Sequence, residues 1–581
     1  MRIALVCACA SALVASVCAQ PYSHQKLGEN LFDVLNGVLS ESGIPAWSAS
    51  LSTTPTTFDI YWITQNNNYT ESILGSGSRE ARPIQMAPNG NLIWEGRGPA
   101  TSSFFDVFVN ASNVSATVLG NNRDALAFGF KSDGTPIWSG RGANNGNFYD
   151  VFVGSTNLSS AVLGNNRDAF PVSIAGDFLA WDGYGGNTSG LRDAFKTNLA
   201  SSSTTNMSSG LGAGRSSRAI DVNTAGQMMW EGFGATTSNF NDVFVDAANV
   251  SSTPLGGTTR DAQGGMISED GTSLWRGFGT ATTNYFDVFR GSTNISRTPL
   301  GTADHDAMPV MLNAAGAAIW DGSGANTSYY WDALITAAGS TTTVNISRPT
   351  LGTNARDAYG LWLGTGSNVL WQGKSLPTTG EKYHLFFFNG SANTNLTMAA
   401  IGVSVESFPL AINAAGQMLW GAMMGDGSFQ VWLSTPKAAT NLSGTVTMDG
   451  YAASPTTVNL TVDMINPFNN SVRQTASGAL NGSAGYSVNV NDPGLYNLKY
   501  SAPRFLIKRF SSVTLLGNVV VNLSLILGDV NGDNVIDDTD LALVLERFGE
   551  VTGDPVDLNG DGIVDDTDLA IVLENFGTSG D

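Results

Sequence analysis

Between residues 528 and 577 the chain repeats one arrangement of oxygen-bearing side chains. The first copy places Asp529, Asn531, Asp533, Asp537 and Asp540 at positions 1, 3, 5, 9 and 12 of a twelve-residue loop, with Val535 at position 7. The second copy, 28 residues on, places Asp557, Asn559, Asp561, Asp565 and Asp568 at the same positions, with Ile563 at position 7. A hard cation such as Ca2+ takes about six to eight oxygen ligands, and a loop with this spacing wraps them around one ion. Position 7 offers its backbone carbonyl, so Val535 and Ile563 need no polar side chain there. Two Ca2+ sites are therefore expected, one per loop.

The elements that must hold these loops are written beside them. Each loop runs into the same short apolar helix, Leu-Ala-Leu-Val-Leu-Glu-Arg-Phe-Gly after Asp540 and Leu-Ala-Ile-Val-Leu-Glu-Asn-Phe-Gly after Asp568. From 528 to 581 there are fifteen acidic residues against one arginine, a net −14 of the chain's −21. Such a segment packs only with a cation to neutralise it. The acidity therefore reports metal ligands, and it argues against nucleic acid as a partner.

A duplicated loop closed by Asp rather than Glu, with no helix ahead of it, resembles the type I dockerin domain. The resemblance implies docking of a secreted protein onto cohesin modules of extracellular polysaccharide-degrading assemblies. It also implies a recognition surface at loop positions 10 and 11 and on the helix beyond: Asp538, Thr539, Leu545 and Glu546, matched by Asp566, Thr567, Leu573 and Glu574. Near-identity of the two sets implies two binding orientations related by a half-turn. Asp-Thr stands where many dockerins have Ser-Thr, which leaves the partner's identity open.

The compartment is read from the other end of the chain. Met1-Arg2, an apolar run from Ile3 to Val17 and small residues before Gln20 form a signal peptide over 1–19. No other apolar run is long enough for a membrane span, so a secreted or cell-surface-associated product is expected. The three cysteines, Cys7, Cys9 and Cys18, all lie in that signal, and the three histidines, His24, His305 and His384, have no metal-ligand or triad spacing. Disulfides, zinc hydrolysis and Ser-His-Asp chemistry are thereby disfavoured.

The middle of the chain is periodic. Tryptophans recur at 47, 94, 138, 181, 230, 275, 320, 371 and 420, at intervals of 43 to 51 residues. Each unit carries a strand ending in Trp-x-Gly-x-Gly, an Asp-Val-Phe strand, Asn-x-Ser, Leu-Gly and Arg-Asp-Ala, which reads as four short antiparallel strands. Such a unit is apolar on both faces and must stack on neighbours. A mainly β fold follows, with a β-propeller of about eight four-stranded blades over 20–440, the partial first and last units merging into one. Nine blades is the alternative. The in-phase Asn-x-Ser motifs read as structural rather than as glycan acceptors, the Arg-Asp turns as inter-blade ion pairs or turn caps, and the tryptophans as core.

From 441 to 527 the period is lost and short alternating strands take over, notably Gly485-Tyr486-Ser487-Val488 and Val519-Val520-Val521. This stretch resembles the prealbumin-like, Ig-like sandwich found beside carboxypeptidase domains, a spacer; the dockerin-like segment, small and α-helical, occupies 528–581. Two functions compete. One is a non-catalytic exported protein whose propeller binds a glycan or protein while its terminus docks onto a cohesin-like module. The other is a propeller glycosidase or polysaccharide lyase delivered by the same terminus. A glycosidase needs two carboxylates about 5 to 10 Å apart. The acids that break the repeat, Glu71, Glu80, Glu269, Glu381 and Glu406, are the candidates, and none stands out.

Overall fold

The computed structural model describes residues 22–581 apart from 52–56, 63–68, 103, 122, 258, 283–284, 303, 354–355, 365–366, 437–439, 468–469, 491–493, 516 and 552–554. The expected signal peptide and its three cysteines lie outside the described residues.

One unit shows why the repeat folds as it does. Trp138 in the strand Pro136–Arg141 stands opposite Phe152 in Asp150–Val153. Their rings stack at 4.2 Å, and the indole Nε1 donates to the carbonyl of Gly154 at 2.9 Å. The same stack joins Trp94 to Phe108, Trp181 to Phe195, Trp230 to Phe244, Trp275 to Phe289 and Trp371 to Phe386, at 4.1 to 4.2 Å. Each pair contributes about 0.5–1.5 kcal/mol beyond the apolar area it removes from water. All of these tryptophans are buried, so they form the core and present no face to a ligand. Gly142, closing the Trp-x-Gly-x-Gly turn, has no room for a side chain: a Cβ there would lie 2.4 Å from the carbonyl oxygen of Leu119.

Neighbouring sheets are joined by a buried ion pair. Asp150 receives Arg167 from the start of the next unit through Nε at 2.6 Å and Nη2 at 2.8 Å, while Asn157 and Ser159 donate to the same carboxylate at 2.8 Å each. The arrangement recurs as Asp106 with Arg123, Asp193 with Arg215, Asp242 with Arg260 and Asp332 with Arg356. The Asn-x-Ser motifs thus complete a polar joint inside the protein. The arginine of Arg-Asp reaches back to the preceding sheet rather than to the aspartate beside it. His305 replaces the arginine at one junction and meets Asp287 at 2.9 Å.

The number of units differs from the expected eight. Trp47 lies in the strands Asp33–Leu39, Pro45–Ser50 and Thr57–Trp62, whereas Trp420 lies in a separate four-stranded sheet of Glu406–Ile412, Met418–Met423, Phe429–Pro436 and Tyr22–Leu31. Nine tryptophan-bearing units result. Tyr22–Leu31 pairs antiparallel with Phe429–Pro436 and carries no repeat motif, so the last unit is completed by residues that periodicity does not reveal. A short parallel pairing of Thr57 with Arg79 and Phe58 with Glu80 links the first unit to the second. The first and last units also touch: Leu31, Val34, Trp47 and Ala49 share one cluster with Leu419 and Val431, and Asn413 donates to the carbonyl of Ser40 at 2.9 Å.

Beyond residue 440 two sheets face each other. One orders Gly485–Val490, Thr440–Thr447 and Asn518–Val520; the other orders Val472–Ala479, Asn459–Ile465, Gly494–Ala502, Arg504–Leu515 and Leu527–Asp529. That last strand straddles the boundary expected at 527/528. Accordingly one apolar cluster runs through both parts, from Leu442, Val462, Tyr500 and Phe505 to Ile536, Val544, Leu558, Val564 and Val572.

Two buried aspartates should respond oppositely to mutation. Asp332 is paired with Arg356, both side chains being wholly buried. Asp332→Ala leaves that guanidinium without its counter-charge and should destabilise the protein by about 3–5 kcal/mol, read from denaturant unfolding. Asp321 is also buried, but its Oδ1 accepts only the N–H of Gly360 at 2.7 Å, and burial holds its carboxyl well above the usual carboxylate range. A raised folded-state pKa gives stability that is greatest below the unfolded value of about 3.9 and declines as pH rises through the folded value. Asp321→Asn should therefore match the parent near pH 4 and surpass it in melting temperature at pH 7.

Candidate functional site

The two acidic loops are superimposable in their hydrogen bonding. In the first, Asp529 accepts from the N–H groups of Gly532 at 2.8 Å and Asn534 at 3.0 Å; in the second, Asp557 accepts from Gly560 and Gly562, each at 3.0 Å. Asp533 accepts from Val535 N–H at 2.9 Å and Asp561 from Ile563 N–H at 3.0 Å. The amides of Asn531 and Asn559 donate to Asp533 and Asp561 at 2.9 and 3.0 Å. The acids at positions 1 and 5 of each loop are thus organised by backbone donors.

Positions 9 and 12 tie each loop to its helix. Asp537 caps α1 (Asp538–Glu546) by accepting from Thr539 N–H at 2.8 Å, and Asp540 returns the bond by accepting from Asp537 N–H at 3.0 Å. Asp565 and Asp568 do the same for α2 (Asp566–Glu574), at 2.8 and 2.9 Å. Reciprocal capping of this kind satisfies donors that a helix start otherwise leaves unpaired. The residues predicted as ligands are therefore also the residues that start the helices.

The copies close each other. The N–H of Ile536 donates to Thr578 and that of Gly577 to Ile536, at 2.9 and 2.8 Å; the N–H of Val564 donates to Glu550 and that of Gly549 to Val564, at the same distances. Gly549 and Gly577 adopt φ of 86° and 82°, the left-handed region that the turn after each helix requires. The repeated Phe-Gly that ends both copies is thus the strap by which each half holds the other's loop.

The donor set fits a hard cation. Asp540 and Asp568 are fully buried and their oxygens meet backbone N–H groups. Burial pushes the carboxyls of Asp529 and Asp557 up, and the nearby Asp540 and Asp568 charges add to it. Carboxylates withdrawn from water beside one another are costly unless a cation joins them, and oxygen-only donors suit Ca2+. Among the described residues no three carboxylates or imidazoles converge on one point, the side chains being turned to the backbone instead. Asp529, Asn531, Asp533, Asp537 and Asp540, with the Val535 carbonyl, and their counterparts Asp557, Asn559, Asp561, Asp565 and Asp568, with that of Ile563, are the groups that would hold it.

The loops differ in what lies behind them. The carbonyl of Asn559 accepts from Ala452 and Ala453 at 2.9 and 3.1 Å, and Arg504 donates to the carbonyl of Asp557 at 2.6 Å, so the sandwich supports the second loop. Behind the first, Asn534 stands where the second loop has Gly562; at φ 71° it uses its side-chain oxygen to accept from Ile507 N–H at 2.7 Å. Sequence reasoning passed over Asn534, although Asn is the residue that best replaces Gly in the left-handed region.

The predicted docking residues are brought to the surface in matched sets. Asp538 and Thr539 open α1, and Leu545 and Glu546, two turns on, share that side of the helix. Asp566, Thr567, Leu573 and Glu574 repeat this on α2, and all eight are exposed. Leu545 and Leu573 show 52% and 55% of their surface to solvent, beside Phe548 and Phe576 at 50% and 49%. Those two phenylalanines belong with the face, and their recurrence 28 residues apart was the available signal.

The candidate glutamates of the repeat region do not assemble. Glu80 is held by Arg82 and Arg97, and Glu71 lies 3.6 Å from Arg79. Glu269 accepts from Thr224, and Glu406 accepts from the N–H of Tyr383 at 3.1 Å. Glu381 sits at φ 62° in a turn.

The dockerin type I domain family matches residues 527–576, so this segment is a type I dockerin domain, the kind of module that docks onto cohesin-bearing assemblies and is generally calcium-binding. No curated protein matches the chain. Among solved structures, a mutant type II cohesin-X-dockerin complex from Acetivibrio cellulolyticus is similar over 24% of this chain and 97% of that one, at 21% identity and a TM-score of 0.21. The extracellular domain of a one-component system from B. thetaiotaomicron covers 84% of this chain and 74% of its own, at 9% identity and a TM-score of 0.25. TolB from Acinetobacter baumannii covers 61% and 79%, at 10% identity and a TM-score of 0.22. These three likenesses are too weak to carry a shared fold. Dockerin proteins are typically extracellular, and among the described residues no helix is long and apolar enough to cross a membrane.

Removing calcium should be felt in the C-terminal part alone. With a chelator present, limited proteolysis is expected to cut within 528–581 while a fragment reaching from the first units to residue 436 stays whole. Equal protection of 528–581 with and without chelator would count against the loops as metal sites.

Proposed function

We propose that this chain is an exported, calcium-dependent adaptor. Two Ca2+ ions, one per loop, order residues 528–581, which dock onto a cohesin-like module. Residues 20–440 form a nine-bladed propeller that binds a glycan or protein without catalysis, and 441–527 form a sandwich that spaces the two. The chain then serves a cell-surface or extracellular assembly linked to polysaccharide breakdown.

The observation that carries this reading is the duplicated face: Asp538, Thr539, Leu545 and Glu546 and their counterparts on α2 are equally exposed, and the two halves are related by the exchange of their Phe-Gly straps. A partner that fits one face therefore fits the other after a half-turn. Closure of the propeller is supported by the pairing of Tyr22–Leu31 with Phe429–Pro436 and by the packing of the first unit on the last. A non-catalytic role is supported by the scattered placement of the repeat-breaking glutamates, of which Glu71, Glu80, Glu269 and Glu406 are each engaged by their own neighbours.

The test is retention of a cohesin module by the intact protein in calcium. Thr539→Arg and Thr567→Arg each leave every ligand side chain in place and put a bulky charge on one face. Each single variant should retain the partner within a few-fold, and the double variant should lose it. Loss with one change alone would rule out two equivalent orientations. Calcium titration of Asp533→Ala and Asp561→Ala by calorimetry should show one site lost in each.

A further inference from the structure

At the junction of the fourth and fifth tryptophan units, two departures from the repeat meet in one cavity. The residue that opens onto the third strand, one before its first buried side chain, is aromatic in most units, as Phe105, Tyr149, Phe286 and Trp331 before an aspartate and Tyr383 before His384, but it is Arg192 in the fourth. The residue opposite the position after tryptophan is Leu126, Phe170, Gln263, Met308 or Tyr359 in other units, but it is Arg218 in the fifth. Arg82 is the one other arginine at that position; there the preceding unit has Phe58 in the place of Arg192, and Phe105 of the same unit lies under the guanidinium. Among the described residues, only between the fourth and fifth units do two such arginines line one cavity.

The cavity they line measures 320 Å³ and is shared with Phe170, Val172, Asp182 and Ile220. Its charges are layered. Asp182 lines it with a side chain 3% exposed, and Glu231, 10% exposed, pairs with Arg218 outside the lining, whereas the two guanidiniums are 49% and 54% exposed. Asp182 accepts from the N–H of Ala219 at 2.7 Å and from Nη2 of Arg192 at 2.5 Å; Glu231 accepts from the N–H of Gly264 at 2.7 Å and from Nη2 of Arg218 at 2.8 Å. Each arginine is thus fixed through one nitrogen to a buried carboxylate, and its other donors lie outside that bond. A guanidinium held in this way loses little freedom on binding a second carboxylate and offers it a planar, two-pronged fit. Phe170 supplies an aromatic ring to the same lining, itself set by Tyr149 at 5.2 Å. Tyr184 and Phe233, two residues beyond Asp182 and Glu231 on the same faces of their strands, are exposed.

We propose that this cavity binds a carboxylate-bearing sugar unit of an acidic polysaccharide, the ring lying on Phe170 and the carboxylate held by Arg192 and Arg218. The volume is at the small end of the range of about 300–1,000 Å³ usual for ligand sites, which suits one or two sugar units of a longer chain. The surrounding protein is acidic, so an anionic ligand gains nothing elsewhere on the surface from net charge. The inference rests on the propeller being a glycan-binding element and names the glycan's chemistry.

The experiment is calorimetric titration of the intact protein at fixed calcium with short, soluble oligogalacturonate, its methyl ester, a neutral xylo-oligosaccharide and oligoglutamate. Oligogalacturonate should bind, and the ester should bind at least tenfold more weakly. Arg192→Gln and Arg218→Gln, which keep the aliphatic stems, should each weaken binding at least tenfold in protein that circular dichroism shows to be folded at the titration temperature, although each variant leaves a buried carboxylate without its counter-charge and so lowers the melting temperature. Equal binding of ester and acid, equal binding of oligoglutamate, or unchanged affinity in both variants would overturn the proposal while leaving a ligand-binding propeller standing. If no glycan binds at all, the glycan-binding reading falls with it. Cohesin retention, measured on the same samples, should be indifferent to both variants.

Discussion

The repeat region depends on a carboxylate that has been taken out of water. Asp106, Asp150, Asp193, Asp242 and Asp332 are buried without residual exposure, and each is acceptable only because a neighbouring unit sends an arginine into it. A unit alone would carry an uncompensated internal charge at one edge and an unpaired guanidinium at the other. Stacking is therefore enforced twice, once by apolar faces seeking cover and once by charges that have no other partner. The joint also fixes register, because Nε and Nη2 of one arginine must meet two oxygens that Asn and Ser already orient. An apolar interface would tolerate sliding; this one does not. The junction where His305 stands in for arginine is the exception, and there both Asp287 Oδ2 and His305 Nδ1 are left without a hydrogen-bond partner.

Much of this was legible in the sequence, for physical reasons that can be named. Tryptophans at a regular interval report units that are each too small to bury their own faces, and the oxygen-bearing side chains at 1, 3, 5, 9 and 12 point to a cation because hard-cation ligation uses that spacing. The in-phase Asn-x-Ser was legible as structure for the same reason, although its bond to the Asp-Val-Phe carboxylate was not. The unit count was misjudged because Tyr22–Leu31 carries no tryptophan, no Trp-x-Gly turn and no Asp-Val-Phe, so nothing in its composition marks it as the missing strand of a unit some 400 residues away. Periodicity detects repeated constraints, and a strand that completes a sheet from outside the repeat is constrained only by its partner. Arg192 and Arg218 were overlooked for a related reason. Their meaning lies in proximity across two strands, which spacing along the chain does not express.

The C-terminal part shows how a sequence boundary and a physical boundary part company. The acidic segment begins abruptly at 528 in composition, yet Leu527–Asp529 is a strand of the sheet before it, and the first carboxylate of the first loop is the end of that strand. The sandwich thereby anchors one loop through its backbone and the other through Ala452, Ala453 and Arg504. Two copies that are nearly identical in sequence are thus held by different neighbours. Symmetry survives on the outer faces of the helices, where Thr539 and Thr567 stand, and is broken on the inner side.

The strand Tyr22–Leu31 has a consequence for the order in which the chain can mature. It is the first segment to be synthesised among those described, and the residues it must pair with, Phe429–Pro436, are among the last of the repeat region to appear. Intervening units can form and stack as they emerge, since each needs only its neighbours, but the unit bearing Trp420 stays one strand short until both ends of a contact of very high sequence separation find each other. Joining ends so far apart is slow and leaves an unpaired sheet edge open to the wrong partner in the meantime. The same pairing, once made, gives the unit bearing Trp420 its fourth strand, so that sheet cannot open at this edge without first drawing out a ten-residue strand. What delays completion of the fold is also what would make its undoing slow.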